Sequence, residues 1–119
     1  MDDLYQQNIL DHYHHPRHGK PLAQYDVKVE GSNPSCGDDL HLYLKITGDV
    51  VTDIGFDSSG CAISTAAMSM LAEKVVGKTL QQVVAVTDSE AVSLLGVPIG
   101  EERLKCALLG LNTLRSAMK

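Results

Sequence analysis

Leu40-His41-Leu42-Tyr43-Leu44-Lys45-Ile46, then Gly48-Asp49, then Val50-Val51-Thr52-Asp53-Ile54-Gly55-Phe56, is the stretch that decides the fold. In its first part the even positions are aliphatic and the odd positions polar or amphipathic. That is the period-two pattern of a strand with one buried face. Gly48-Asp49 is a turn signal, and Val50, Thr52, Ile54 and Phe56 take up the alternation again, so the segment predicts a β-hairpin. Upstream, Val27 and Val29 alternate with charged residues and predict a further strand.

Beyond Gly60-Cys61 the period changes. Ile63, Ala67, Leu71 and Val75 recur every four residues, and Gly77 ends the run as a glycine beyond a helix C-terminus does. Thr79-x-x-Gln82 and Thr87-x-x-Glu90 are two capping-box signatures for short helices, the second closed by Gly96. Leu104, Ala107, Leu108, Leu111, Leu114 and Met118 predict one apolar face of a last helix. At the other end Tyr5, Ile9 and Tyr13, with Leu10 beside them, predict a short helix over Asp3–Tyr13 that stops before Pro16. The expected class is α+β: a small three-stranded antiparallel β-sheet with helices packed on one face.

The 119 residues suit one domain spanning 1–119, with no repeat, low-complexity tract or linker to divide them. At 44% apolar and 21% charged the composition is globular, and with no Trp and one Phe the core must be aliphatic. A net charge of −5 argues against nucleic acid, which needs a basic footprint. No apolar run approaches the roughly 20 residues of a membrane span. Met1-Asp2-Asp3 is acidic where a leader would be basic, so a cytoplasmic location is expected.

Chemistry concentrates at three cysteines and one aspartate. Cys36 lies in Asn33-Pro34-Ser35-Cys36-Gly37-Asp38, Cys61 follows Gly60, and Cys106 follows Lys105. An odd count of cysteines in a reducing compartment favours ligation, thiol chemistry or burial over a disulfide framework. Cys61 precedes one predicted helix and Cys106 falls in the first turns of another, where backbone N–H groups and the helix dipole favour a thiolate. Arg103 and Lys105 add positive charge nearby. Cys106 sits off the stripe of Leu104 and Leu108, so core filling alone does not explain it. Cys36 and Asp38, one glycine apart, point the same way in an extended segment. Were the loops to meet, three thiolates and one carboxylate would form a four-ligand set for zinc, cuprous copper or an iron–sulfur centre. The hard oxygen would then be the weakest-held position, fitting a site that gives up its cargo. Against this, no CxxC pair is present, the spacing matches no zinc finger, and free cysteines are often simply buried. The residues alone leave ligation and inert thiols both open.

At these positions the chain resembles the U-type iron–sulfur assembly scaffolds, the IscU/SufU/NifU N-terminal family. The matching motifs are Leu4-Tyr5, Asp11-His12-Tyr13, Pro16-Arg17, Asn33-Pro34-x-Cys36-Gly37-Asp38, Gly60-Cys61-x-Ile63-Ser64 and Lys105-Cys106, in family order over about residues 4 to 118. The resemblance implies a scaffold that accepts persulfide sulfur from a cysteine desulfurase of SufS or IscS type. It implies a transient [2Fe–2S] cluster, iron or zinc held on Cys36, Asp38, Cys61 and Cys106, with Cys36 and Cys106 as candidate persulfide acceptors. The cluster would pass to apo acceptor proteins, and assembly can bridge subunits of a homo-oligomer. Such a protein is a stoichiometric platform rather than a turnover enzyme, with sulfurtransferase activity if it is of SufU type.

Two departures divide the branches. The IscU branch has His before the third cysteine and a chaperone-recognition segment upstream; here stand Lys105 and Gly96-Val97-Pro98-Ile99-Gly100. Lys105, Arg103 and the Asp11-His12-Tyr13 start resemble the SufU branch, yet that branch usually carries an insertion between the second and third cysteines, for which the gap from Cys61 to Cys106 is too short. A small interaction module with a structural zinc is the reading from another class. Elsewhere the ordinary explanation is expected. His12, His14, His15 and His18 read as the end of a helix, His41 as a solvated strand residue, and Met68 and Met70 as packing or contact residues.

Overall fold

The computed structural model describes residues 2–33, 37–96 and 99–117, with residues 2–6 and 102 by backbone alone. In chain order the elements are α1 (Asp2–His14), β1 (Val27–Asn33), β2 (Asp38–Thr47), β3 (Val50–Ser59), α2 (Ala62–Val75), α3 (Leu80–Val84), α4 (Asp88–Ser93) and α5 (Glu101–Ala117). The three strands form one antiparallel sheet in the order β1-β2-β3.

Strand β2 behaves as its alternation demands. Leu40, Leu42 and Leu44 are fully buried and face Met68, Leu71, Ala72 and Val75 of α2 together with Leu109, Leu111 and Leu114 of α5. Burying each such side chain contributes roughly 1.5–3 kcal/mol, so this aliphatic layer gives the fold a core of its own. Strand β3 departs from expectation. A bulge opposite Lys45/Ile46 shifts the register, so that Val51 rather than Val50 or Thr52 turns inward beside Ile54 and Phe56. The Thr52 hydroxyl donates to the Lys45 carbonyl at 3.2 Å, occupying the ladder position the extra residue vacates.

Helix α2 is buried almost all round, every residue from Ile63 to Ala72 being covered. One side meets the sheet and α5, the other meets α1, and its Ala, Ser and Thr residues let both approach closely. A second apolar cluster fills the α1–α2–α5 side: Ile9, Ile63, Ala66, Ala67, Met70, Leu95, Cys106 and Ala107. Met68 and Met70 are thus packing residues. Both short helices, α3 and α4, carry the full capping box, with Thr79 on Gln82 and Thr87 on Glu90.

Two helix faces are rotated from the expected ones. In α1 the buried residues are Ile9 and His12, while Leu10 and Tyr13 are exposed; the side chain of Tyr5 lies outside the described residues. In α5 the buried face runs through Cys106, Ala107, Leu109, Leu111, Thr113 and Leu114, and Leu104 is exposed. Met118 lies outside the described residues. The cause is that α5 packs on two partners at once. Thr113 crosses β1 at Gly31 and Gly110 makes room for Met68 of α2, so the smaller residues take the tight seam and Leu104 falls at the rim.

Candidate metal centre

Asp38 has the parity of Leu40, Leu42 and Leu44, so β2 drives a carboxylate onto the core face of the sheet, where it is buried. Its neighbour across the ladder is Asn33, the last pair of β1 and β2, and paired residues share a face. Asn33 is buried as well. These two residues bracket the short connection that carries Cys36, and Gly37 within it takes a φ of +72°.

The carboxylate reaches over the β3–α2 junction. Its Oδ1 accepts the Cys61 backbone N–H at 2.9 Å, while Oδ2 is buried with no hydrogen-bond partner among the described residues. That contact requires Gly60. A Cβ there would collide with the Asp38 carboxylate and lie 2.9 Å from its Cα, and the φ of +150° already excludes most side chains. Cys61 is the N-cap of α2, with φ −80° and ψ 164°, but its side chain makes no cap hydrogen bond. Cys106 comes from the second turn of α5, and its sulfur accepts a hydrogen bond from Asn33 Nδ2 at 3.9 Å.

The donor atoms of Asp38, Cys61 and Cys106 lie within 4.8 Å of one another. A tetrahedral zinc with thiolate bonds of about 2.3 Å separates its ligands by roughly 3.8 Å, so small rotamer changes close the set on an ion. A buried carboxylate oxygen without a partner is costly, and a cation supplies the partner it lacks. The donor set therefore fits a metal. The structure brings these three predicted residues together; Cys36, the remaining one, lies outside the described residues, as do Val97 and Pro98.

Cys106 corrects one expectation. The sequence pattern sets it off the apolar stripe, yet it is buried in a cluster with Ile63, Ala67, Met70 and Leu95, because α5 is rotated by its two-sided packing. It serves the core and the site together. Arg103 and Lys105 are exposed. Asn33 belongs to the same sequence motif as Cys36 and Asp38, and its place opposite Asp38 becomes visible only once the strand register is known.

Among the described residues no histidine joins the donor cluster of Asp38, Cys61 and Cys106. His12 is buried, its Nδ1 2.7 Å from Ser69 Oγ and its Nε2 3.6 Å from Glu73. Burial first, and Arg17 second, hold its pKa below the usual histidine range against the opposing pull of Glu73 and Asp11. His41 pairs with Glu30 and Asp39 on the outer face. No described helix is long and apolar enough to cross a membrane.

A three-stranded sheet backed by helices, with Asp and Cys donors gathered where β2, α2 and α5 meet, defines a metal-binding α+β scaffold. The model of the NifU-like N-terminal domain matches residues 4–119, and the chain belongs to that family. It is 33% identical to the zinc-dependent sulfurtransferase SufU of Bacillus subtilis, over 99% of this chain and 91% of the relative. It is also 33% identical to the iron–sulfur cluster assembly scaffold protein IscU of Streptococcus pyogenes serotype M1, over 100% of this chain and 85% of that one. The alignment with SufU spans 135 positions against 119 residues here, so that relative holds segments this chain lacks. Among solved structures, an iron–sulfur cluster assembly scaffold for the SUF system from Fervidobacterium islandicum superposes with a TM-score of 0.82. It is 28% identical, and 95% of each chain is covered.

Proposed function

We propose that this chain is an iron–sulfur cluster assembly scaffold that takes up sulfur from a cysteine desulfurase, builds a [2Fe–2S] cluster and hands it to apo acceptor proteins in the cytoplasm. The observation that carries the reading is the buried Asp38 Oδ2, without a hydrogen-bond partner among the described residues, beside the sulfurs of Cys61 and Cys106. Cys36, two positions from Asp38 in the chain, completes the ligand set in this reading. Cluster and iron are cargo, and a single oxygen donor among sulfurs is the position that lets cargo leave. Sulfur arrives by exchange: a thiolate of Cys36 or Cys106 attacks the terminal sulfur of the donor persulfide. The new persulfide forms as the donor's S–S bond breaks and its thiolate departs.

Anaerobic reconstitution with iron and sulfide tests this. The wild-type chain should develop a cluster chromophore that Cys61→Ser loses, and an unchanged spectrum in that variant refutes the ligand assignment.

A second reading, a SufU-type zinc-dependent sulfurtransferase, is favoured by Lys105 before the third cysteine and by the Bacillus subtilis relative. It predicts zinc in the protein as isolated and stimulation of a desulfurase that Cys36→Ala abolishes. Absence of both excludes it. A purely structural zinc is disfavoured by the separate aliphatic core. Chelation is expected to leave the far-ultraviolet circular dichroism unchanged, whereas unfolding on chelation would restore that alternative.

A further inference from the structure

The Asn33 amide stands where the cargo site needs a brace. It is the terminal pair of Asp38 in the β1–β2 ladder, it is buried, and it donates to the Cys106 sulfur at 3.9 Å. An amide NH₂ only donates, so in this bond the sulfur is the acceptor, the role a thiolate or a metal-bound sulfur fills. The bond also crosses between elements, from the end of a strand to a long helix, so it fixes the direction of one ligand relative to the other two. The residue type matters. A lysine at 33 would neutralise Asp38 and occupy the oxygen left for the cation. An aspartate would set two buried carboxylates against each other. A short neutral donor braces the sulfur and leaves Asp38 Oδ2 available.

We propose that Asn33 is a positioning residue of the metal centre, aiming Cys106 at the bound cation through an N–H···S hydrogen bond and drawing electron density off that sulfur. The proposal rests on the metal-site reading above. Hydrogen bonds to ligating sulfurs tune a centre without touching the metal.

Co²⁺ is the probe, added to the metal-free chain and to Asn33→Leu, which matches asparagine in size and donates nothing. Wild type should bind Co²⁺ with sulfur-to-metal charge-transfer absorption. Asn33→Leu should bind roughly 10- to 100-fold more weakly, with that band moved to longer wavelength because its sulfur is no longer stabilised. Weaker binding with an unmoved band assigns Asn33 a purely structural part and overturns the proposal while sparing the metal site. Absence of Co²⁺ uptake by wild type overturns the metal reading and Asn33's role with it. Should Asn33→Leu fail to fold, ¹¹³Cd²⁺ bound to the wild-type chain decides the matter. A scalar coupling between cadmium and the Asn33 side-chain amide proton, carried through the sulfur, supports the bond, and its absence in the cadmium-loaded protein overturns it.

Discussion

Two buried polar clusters flank α2, and they are built on opposite plans. Beneath α1, Ser69 Oγ accepts the Arg17 backbone N–H at 2.8 Å and meets His12 Nδ1, while His12 turns its other nitrogen toward Glu73. With Nδ1 unprotonated, His12 accepts from the Ser69 hydroxyl while Ser69 accepts from Arg17, so these three groups satisfy one another and Nε2 stands 3.6 Å from Glu73. At the N-terminus of α2, Asp38 satisfies one oxygen and strands the other beside two sulfurs. The first cluster holds helices together. The second is incomplete by itself, and that incompleteness singles it out as the candidate metal centre more clearly than the number of polar residues does.

The contrast breaks at different strengths. Gly60→Ala should act most strongly, since the methyl meets the Asp38 backbone as well as its carboxylate. A loss of roughly 2 kcal/mol or more is expected in urea unfolding, together with loss of Co²⁺ uptake. Ser69→Ala should cost about 1–3 kcal/mol by stranding His12 Nδ1 and the Arg17 N–H, with Co²⁺ uptake unchanged. If uptake also falls, the two clusters are coupled and the contrast fails.

A smaller effect is expected from pH. Because burial and Arg17 depress the folded-state pKa of His12, the unfolded chain binds the proton more readily. The His12 contribution is fully present above the ordinary histidine pKa of about 6.5 and declines as pH falls below it toward the folded value. Unfolding midpoints measured across that window should slope in wild type and flatten in His12→Gln; equal slopes would remove His12 as the cause. The smallest stability change belongs to Asp38→Asn in the metal-free chain. Asparagine keeps an oxygen for the Cys61 N–H and removes a carboxylate oxygen that has no partner among the described residues, so stability should stay unchanged or rise by up to about 1 kcal/mol, while metal affinity drops. A large destabilisation would show that Asp38 is structural. Asp38→Cys sharpens the same point, since four soft ligands should release metal to a chelator more slowly than the native set.

Much of the architecture was legible because β2 is an unambiguous alternation and because both capping boxes carry their own boundaries. The inward phase of β3 was hidden by the adjacent Val50 and Val51, between which only a bulge decides. The buried faces of α1 and α5 escape the sequence pattern for a related reason. A stripe of large apolar residues identifies a helix with one partner, whereas α5 has two and gives its tight seams to Cys106, Gly110 and Thr113. In α1 a buried histidine outranks an exposed tyrosine because Ser69 lies across from it. At the site, residue types were enough to nominate Asp38, Cys61 and Cys106. Asn33 needed the strand register, which no spacing encodes.

Cys106 shares a buried cluster with Ile63, Met70 and Leu95, while its sulfur accepts from Asn33 and lies within 4.8 Å of the donors of Asp38 and Cys61. An extra atom on its sulfur would be added to a side chain that is already almost fully buried, so the packing of the α1–α2–α5 cluster must adjust to it. Amide protection in α5 and around Leu95 should therefore differ between the empty and the charged protein.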